Sequence, residues 1–386
     1  MAFLNKTKKG MTLEETTELL GQLRLPTAMV FTPVNLVSEK KKFFNSDTYN
    51  PVFQYKVVKN NNDDILKKLL HVEEVVDVDP RISDFYIELI SSKNQANDLM
   101  HAVGNNELVT DISYNRYGKP SATLFRNACR VLRGRMKNYN VVKSKSVDRG
   151  DVLKYDEIEK ALNVVFEELG LKDWGVSKSK NISKNSIKVG IKSKKIFVDP
   201  NIERTKYKLR KTIVHEVGTH VLRAINGKKS GFEALGKPNL PSYLDVEEGL
   251  STWNESNLGL LTDEWLIKKA ALVYALYIGE DLTFRQLHNS MLGVLPKYGS
   301  FNTAYRVKRG LIDTAYSGLY TKDIAYFRGF RKVLRKLEKD PSLYELLYAG
   351  KIDFKQCKWV REGLIPKAKN VPDKERWEEI FKKAGI

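Results

Sequence analysis

The chain is poor in cysteine and histidine and lacks any long apolar run. Cys129 and Cys357 are the only cysteines among 386 residues. They lie far apart without a C-x-x-C partner, which argues against a disulfide framework and a thiolate metal centre and points to a reducing compartment. The longest apolar run, Ala270–Ile278, is far below the roughly 18 residues that a membrane-spanning helix needs. The opening MAFLNKTKKG has no apolar stretch of the kind that directs secretion. A soluble, cytoplasmic protein without a membrane partner is expected, and no internal repeat or low-complexity segment interrupts it.

Positive charge is what the chain has in excess. Lys and Arg number 66 against 47 acids, a net charge of +19, which favours a polyanionic partner: nucleic acid, an anionic membrane face or an acidic protein tail. Between Lys172 and Lys211 stand 13 basic residues and 3 acids, so more than half of the excess sits in 40 residues. That stretch reads either as a solvated lysine-rich face or as the basic rim of a cleft. A hydrophobic content of 42% suffices for a folded core.

The pattern along the chain is mainly α with a small β-sheet or hairpin, an α+β class. Residues 1–60 carry turn signals and read as an extended wrapping segment. Apolar spacing marks helices near 64–70, 84–103, 121–136, 157–169, 262–278, 283–292 and 321–337. Ser342 and Glu345 form a candidate capping box. IKVGIK at Ile187 and KIFV at Lys195 read as a hairpin. A polar, lysine-rich stretch over 137–150 suggests a linker between an N-terminal helical region, 1–140, and a second region, 151–386.

The second region contains KTIVHEVGTHVLRAING, Lys211–Gly227. The zinc-peptidase signature H-E-x-x-H places its histidines four apart on one helix face; His215 and His220 are five apart. At about 100° per residue they would diverge by roughly 140° on a regular helix and could not share a metal. One residue absorbed as a π-bulge restores the alignment, and Gly218 lies where a distorted backbone would want glycine. A catalytic zinc takes three protein ligands and leaves one position open. With the other histidines at 71, 101 and 288, a carboxylate from Asp245–Glu255 is the simplest third ligand, either Glu247, Glu248 or Glu255. Glu216, beside the first histidine, suits a general base acting on water.

HEVGTH at His215–His220, EEGLS at Glu247–Ser251, RVKRG at Arg306–Gly310 and TKDIAYFRG at Thr321–Gly329 resemble, in order, the motifs of one metallopeptidase family. It comprises the eukaryotic tubulin tyrosine carboxypeptidases and bacterial proteins with a QEGLA motif. NPVFQY at Asn50 and KIDF at Lys351 also resemble family positions, so the likeness covers most of the chain. It implies a zincin-like zinc carboxypeptidase, one Zn²⁺ per chain, acting on a C-terminal residue, and the resemblance suggests an aromatic, tyrosine-like one. By position it implies His215, His220 and Glu248 as ligands and Glu216 as base. Glu247 stands where the family has glutamine, Ser251 where it has alanine, and Lys-Lys-Ser-Gly follows Asn226-Gly227 where bacterial members have Gln-Pro. Arg306, Lys308, Arg309 and Lys322 are the candidates to hold the substrate's terminal carboxylate. Tyr305 and Tyr326 are those to steady an oxyanion, and Asp323 caps its helix or pairs with an arginine.

Two other readings use the same residues. A non-catalytic regulator or nucleic-acid binder would account for the charge, although no nucleic-acid-binding motif is present. An aminopeptidase or endopeptidase would share the zinc chemistry, with Glu247 or Glu255 anchoring a substrate amine. The carboxypeptidase reading, with an acidic protein as substrate, is preferred.

Overall fold

The structure, a computed structural model, describes residues 9–25, 27–134, 151–238, 240–369 and 371–386. It is mainly helical with three small sheets among the described residues. The expected linker over 137–150 lies outside them. The chain divides into two compact units.

The first unit takes Met1–Arg135, Pro238–Ser242 and Lys268–Phe327. Its longest helix, Pro80–His101, begins as the sequence dictates, with Pro80 at the first position and the Asp79 carboxylate accepting from the Arg81 amide. Ile82, Phe85, Tyr86, Leu89 and Ile90 form its buried stripe. Phe43 meets Phe284 and Phe301 edge-on and those two meet at a tilt, with ring centroids 5.1–5.2 Å apart. Residues 1–60 are not one extended segment. Leu13–Gln22 is a helix with a complete Thr12–Glu15 capping box, and Leu36–Phe44 is another. The Lys40–Lys42 run conceals the second, because its buried face reduces to Glu39 and Phe43.

Asn106–Tyr117 and Lys297–Lys308 are further helices that periodicity misses. The first buries Thr110, Ser113 and Arg116 beside Val109 and Tyr117, so its inner face has no apolar period to detect.

The second unit takes Met136–Lys237, Tyr243–Ile267 and Arg328–Ile386. The expected hairpin is present: Ile187–Gly190 pairs antiparallel with Lys195–Val198, Ile187 opposite Val198. A third strand, Gly175–Lys178, pairs parallel on the other side of Lys195–Val198, making that strand central. Ile196 and Val198 of this strand are fully buried. Helix Tyr155–Glu168 is tied to the carboxy-terminal helix Lys374–Lys383 by Arg376 and Lys383, both on Glu168.

The chain then enters the motif region. Thr205 accepts from the Lys208 amide and starts helix Lys206–Thr212, which runs into a π-helix, Ile213–Val221, and resumes as an α-helix, Leu222–Lys228. Helix Pro241–Asn257 carries the three glutamates. It meets helix Ile324–Lys339 at close range: a Cβ on Gly249 would lie 2.4 Å from the Gly329 carbonyl group, and one on Gly329 2.0 Å from the Asp245 oxygen. Asp245 and Arg328 form a bidentate pair beside this crossing, so the glycines of EEGLS and YFRG are there for backbone approach. The Ser342 capping box does not form. Ser342 is itself helical, and its hydroxyl donates to Asp340 instead.

Candidate metal centre

His215 and His220 both stand on the π-helix, which replaces the single bulge expected from spacing by a nine-residue π segment. Their rings come within 4.8 Å of each other at 83°. With Glu248 they form the one group among the described residues able to hold a metal ion, its donor atoms all within 4.8 Å. His215 Nε2 lies 3.8 Å from Glu248 Oε2.

The two other glutamates lie behind the histidines. Glu255 Oε1 is 2.7 Å from His215 Nδ1, and Glu247 Oε1 is 2.7 Å from His220 Nδ1. A carboxylate can only accept, so each Nδ1 must donate, which leaves Nε2 of each ring as the nitrogen a metal could take; that of His215 faces Glu248. Glu247 and Glu255 are therefore supports of the imidazoles, and neither is free to anchor a substrate amine.

Cations stand behind the carboxylates in turn. Lys211 Nζ is 3.3 Å from Glu255 Oε2. Glu247 receives Arg223 Nη1 and Lys351 Nζ. Burial raises the Glu247 carboxyl, but Lys351, Arg223 and His220 outweigh it and hold the group well below the usual carboxylate range. Arg223 is fully buried and also donates to the carbonyls of Leu347, Gly350 and Ile352. Lys351 further reaches the Tyr243 hydroxyl at 3.1 Å.

This donor set fits a divalent cation. Two imidazoles and one carboxylate are borderline-hard ligands of the kind zinc accepts with a position open. The local field favours positive charge: burial lowers the affinity of His215 for a proton, yet Glu255, Glu216 and Glu248 push its pKa up to about 9. Glu216 is half-buried, with no hydrogen-bond or ion-pair partner among the described residues.

Gly218 plays a different part from the expected one. It is not among the glycines with positive φ; a Cβ there would lie 2.3 Å from Trp377 Cζ2. The glycine makes room for the carboxy-terminal helix.

The remaining candidates lie in the first unit. Arg306 and Arg309 both pair with buried Asp323, at 2.6 and 3.2 Å, so Asp323 is an arginine partner. Tyr305 meets Phe53 edge-on, and Tyr326 lies under Lys269 Nζ, 3.4 Å from its ring centre. Lys308 is fully buried, its amine 3.5 Å from the Tyr316 carbonyl, which removes it as a cation for a substrate carboxylate. Lys322 is half-buried and has no ion-pair partner among the described residues.

The family described as microtubule-associated tyrosine carboxypeptidase matches residues 41–377. The chain belongs to that family. The resemblance carried by the HEVGTH, EEGLS and TKDIAYFRG motifs therefore holds. Relatives include Microtubule-associated tyrosine carboxypeptidase 1 of Mus musculus, 26% identical over 182 residues, 45% of this chain and 38% of that protein. Another is Putative tyrosine carboxypeptidase MATCAP2 of Homo sapiens, 29% identical over 168 residues, 41% of this chain and 31% of that protein. The matched stretches span less than two fifths of these relatives' own length.

Sequence reasoning missed the supports: Lys211, Arg223, Tyr243, Asn254 and Trp377. Arg223 carried the one available signal, an arginine one turn past His220 amid apolar neighbours, where a charge is retained only if paired.

Proposed function

We propose that this chain is a zinc-dependent carboxypeptidase with a zincin-like active-site helix, removing a tyrosine-like C-terminal residue from an acidic peptide or protein. The observation that carries the reading is the cluster of His215, His220 and Glu248, each imidazole backed by its own carboxylate, with Glu216 next to His215 in the chain and without a hydrogen-bond or ion-pair partner among the described residues. Zinc held by these three residues would supply a Lewis acid that polarises the scissile carbonyl and eases deprotonation of water.

Glu216 takes a proton from the attacking water and delivers it to the leaving amine, the two halves of general acid–base catalysis by one carboxylate. Glu255 and Glu247 keep the imidazoles oriented with Nε2 forward. Among the cations considered for the terminal carboxylate, Lys322 remains the candidate, since Arg306 and Arg309 are engaged by Asp323. Tyr305 and Tyr326 remain candidates for steadying the oxyanion. The preference for tyrosine rests on the names of the relatives.

An acidic substrate is supported by crowding of like charge. Burial, and after it Lys192, Lys351 and Lys228, hold the Lys237 amine below its usual range. An anion placed there would relieve the repulsion, and Lys351 of this group reaches Glu247 behind His220. The same lysines support nucleic acid as a second reading of the partner.

The deciding experiment is mass spectrometry of peptides that differ at either terminus, incubated with zinc-loaded protein and with Glu216→Gln. Loss of a single C-terminal residue, at least about a thousand-fold slower in the variant, is the expected result. Cleavage from the amino end, or equal activity in Glu216→Gln, would sink this reading.

A further inference from the structure

A π-helix is a rare form, seen mostly as single-turn bulges, and nothing in the local sequence IVHEVGTHV favours it over an α-helix. Yet an α-helix would turn the two histidines away from each other. Something outside the segment must hold the register, and a buried polar chain stands where it is needed.

Thr219 is fully buried, and its hydroxyl donates to the Val214 carbonyl at 3.1 Å. Threonine in an α-helix reaches the carbonyl three or four residues back; a bond five residues back is a feature of the π-register. Val214 and Thr219 each immediately precede a histidine, so the bond spans the same interval as the His215–His220 pair. Asn254 Nδ2 donates to the Thr219 oxygen at 2.8 Å and to the Tyr348 oxygen at 2.9 Å. Asn254 and Tyr348 are buried. The Tyr344 hydroxyl lies 3.4 Å from that of Tyr348 and donates to the Pro372 carbonyl at 2.9 Å. Asn254 also neighbours Glu255, the support of His215, so one turn of helix Pro241–Asn257 governs both ring orientation and register.

We propose that the Thr219–Asn254 pair is a positioning device that sets the π-register of the histidine segment and thereby the spacing of the His215 and His220 donors. The proposal rests on the metal reading above. Neither residue touches substrate or metal; both act through the histidines.

The test compares Thr219→Val, which keeps shape and removes the hydroxyl, with Thr219→Ser, which keeps the hydroxyl. Two quantities are read on metal-free protein: the zinc dissociation constant by chelator competition, and amide hydrogen exchange over 213–221. The valine variant should bind zinc about 10- to 100-fold more weakly, the loss typical of removing an outer support, and exchange faster in this segment alone. Serine should restore most of both. Asn254→Ala leaves the histidine segment unchanged in sequence and carries the same expectation should the valine variant not fold. Unchanged zinc affinity and unchanged exchange in both Thr219→Val and Asn254→Ala would overturn the proposal while leaving the metal reading standing. A parent protein that binds no zinc, with exchange still following the hydroxyl, would overturn the metal reading and uphold the register device.

Discussion

Each histidine of the candidate metal cluster depends on a carboxylate that the next layer must also satisfy. Glu247 shows the consequence. Its carboxylate accepts from His220 and neutralises Arg223 and Lys351, of which Arg223 is fully buried. Glu247→Gln keeps an acceptor for His220, but strands two cations. Removing one partner of a buried ion pair costs about 3–5 kcal/mol, so the variant should lose stability of that order in urea unfolding. Lys351→Met in the same chain should return part of it. A fully stable single variant would show that the two cations have other compensation.

Lys308 makes the opposite case, a buried charge with little to hold it. Burial lowers its amine from the ordinary 10.5 to about 8, against weaker opposing pulls from Asp281 and Glu280. Between these values the unfolded chain binds more protons than the folded one, so stability should rise as pH climbs from 8 to 10.5. Below about 8 both states are protonated and the penalty is present in full. It is worth up to about 3 kcal/mol, and Lys308→Met should recover much of it at pH 7 and nothing above pH 10.5. A variant whose gain in melting temperature is the same at both pH values would refute the assignment.

At the level of elements, the legible parts were those whose physics is local. Tyr155–Glu168 and the Ile187–Val198 hairpin declared themselves by apolar period and turn residues, and the helix expected near 283–292 is present as Phe284–Ser290. The π-helix was legible only by reasoning backward from chemistry: were HEVGTH to hold a metal, its helix would have to be distorted. What escaped is set by contacts distant in sequence. Gly249 and Gly329 are required by each other, and Gly218 is required by Trp377, 159 positions away.

That last contact is testable. Gly218→Ala places a methyl 2.3 Å from the indole, and overpacking of this kind costs about 1–3 kcal/mol. Gly218→Ala should lower the melting temperature and weaken zinc binding together. Trp377→Leu, which alone opens a cavity, should be less harmful in the Gly218→Ala background than in the parent. Simple additivity of the two changes would mean that they do not meet.

For the whole molecule the governing quantity is charge. A net +19 is unfavourable for folding, because like charges repel in the compact state, and a protein that retains it gains in association with anions. Over half of the excess lies between Lys172 and Lys211, the chain segment that leads into the histidine helix, and Lys237 is crowded by Lys192, Lys228 and Lys351. If these lysines receive an acidic substrate, the attraction acts on encounter and binding and leaves the chemical step alone. Salt at 1 M shortens the screening length to about 3 Å from about 10 Å at 0.1 M. Raising salt over that range should increase KM for a glutamate-rich peptide ending in tyrosine by about tenfold or more, with kcat nearly constant. A neutral peptide with the same terminal residue should show little change, and replacing Lys192 and Lys237 with serine should flatten the salt dependence for the acidic one. Equal salt response of the two peptides would assign the basic stretch to something other than the substrate, and tight, salt-sensitive retention of single-stranded nucleic acid by the same lysines would say what.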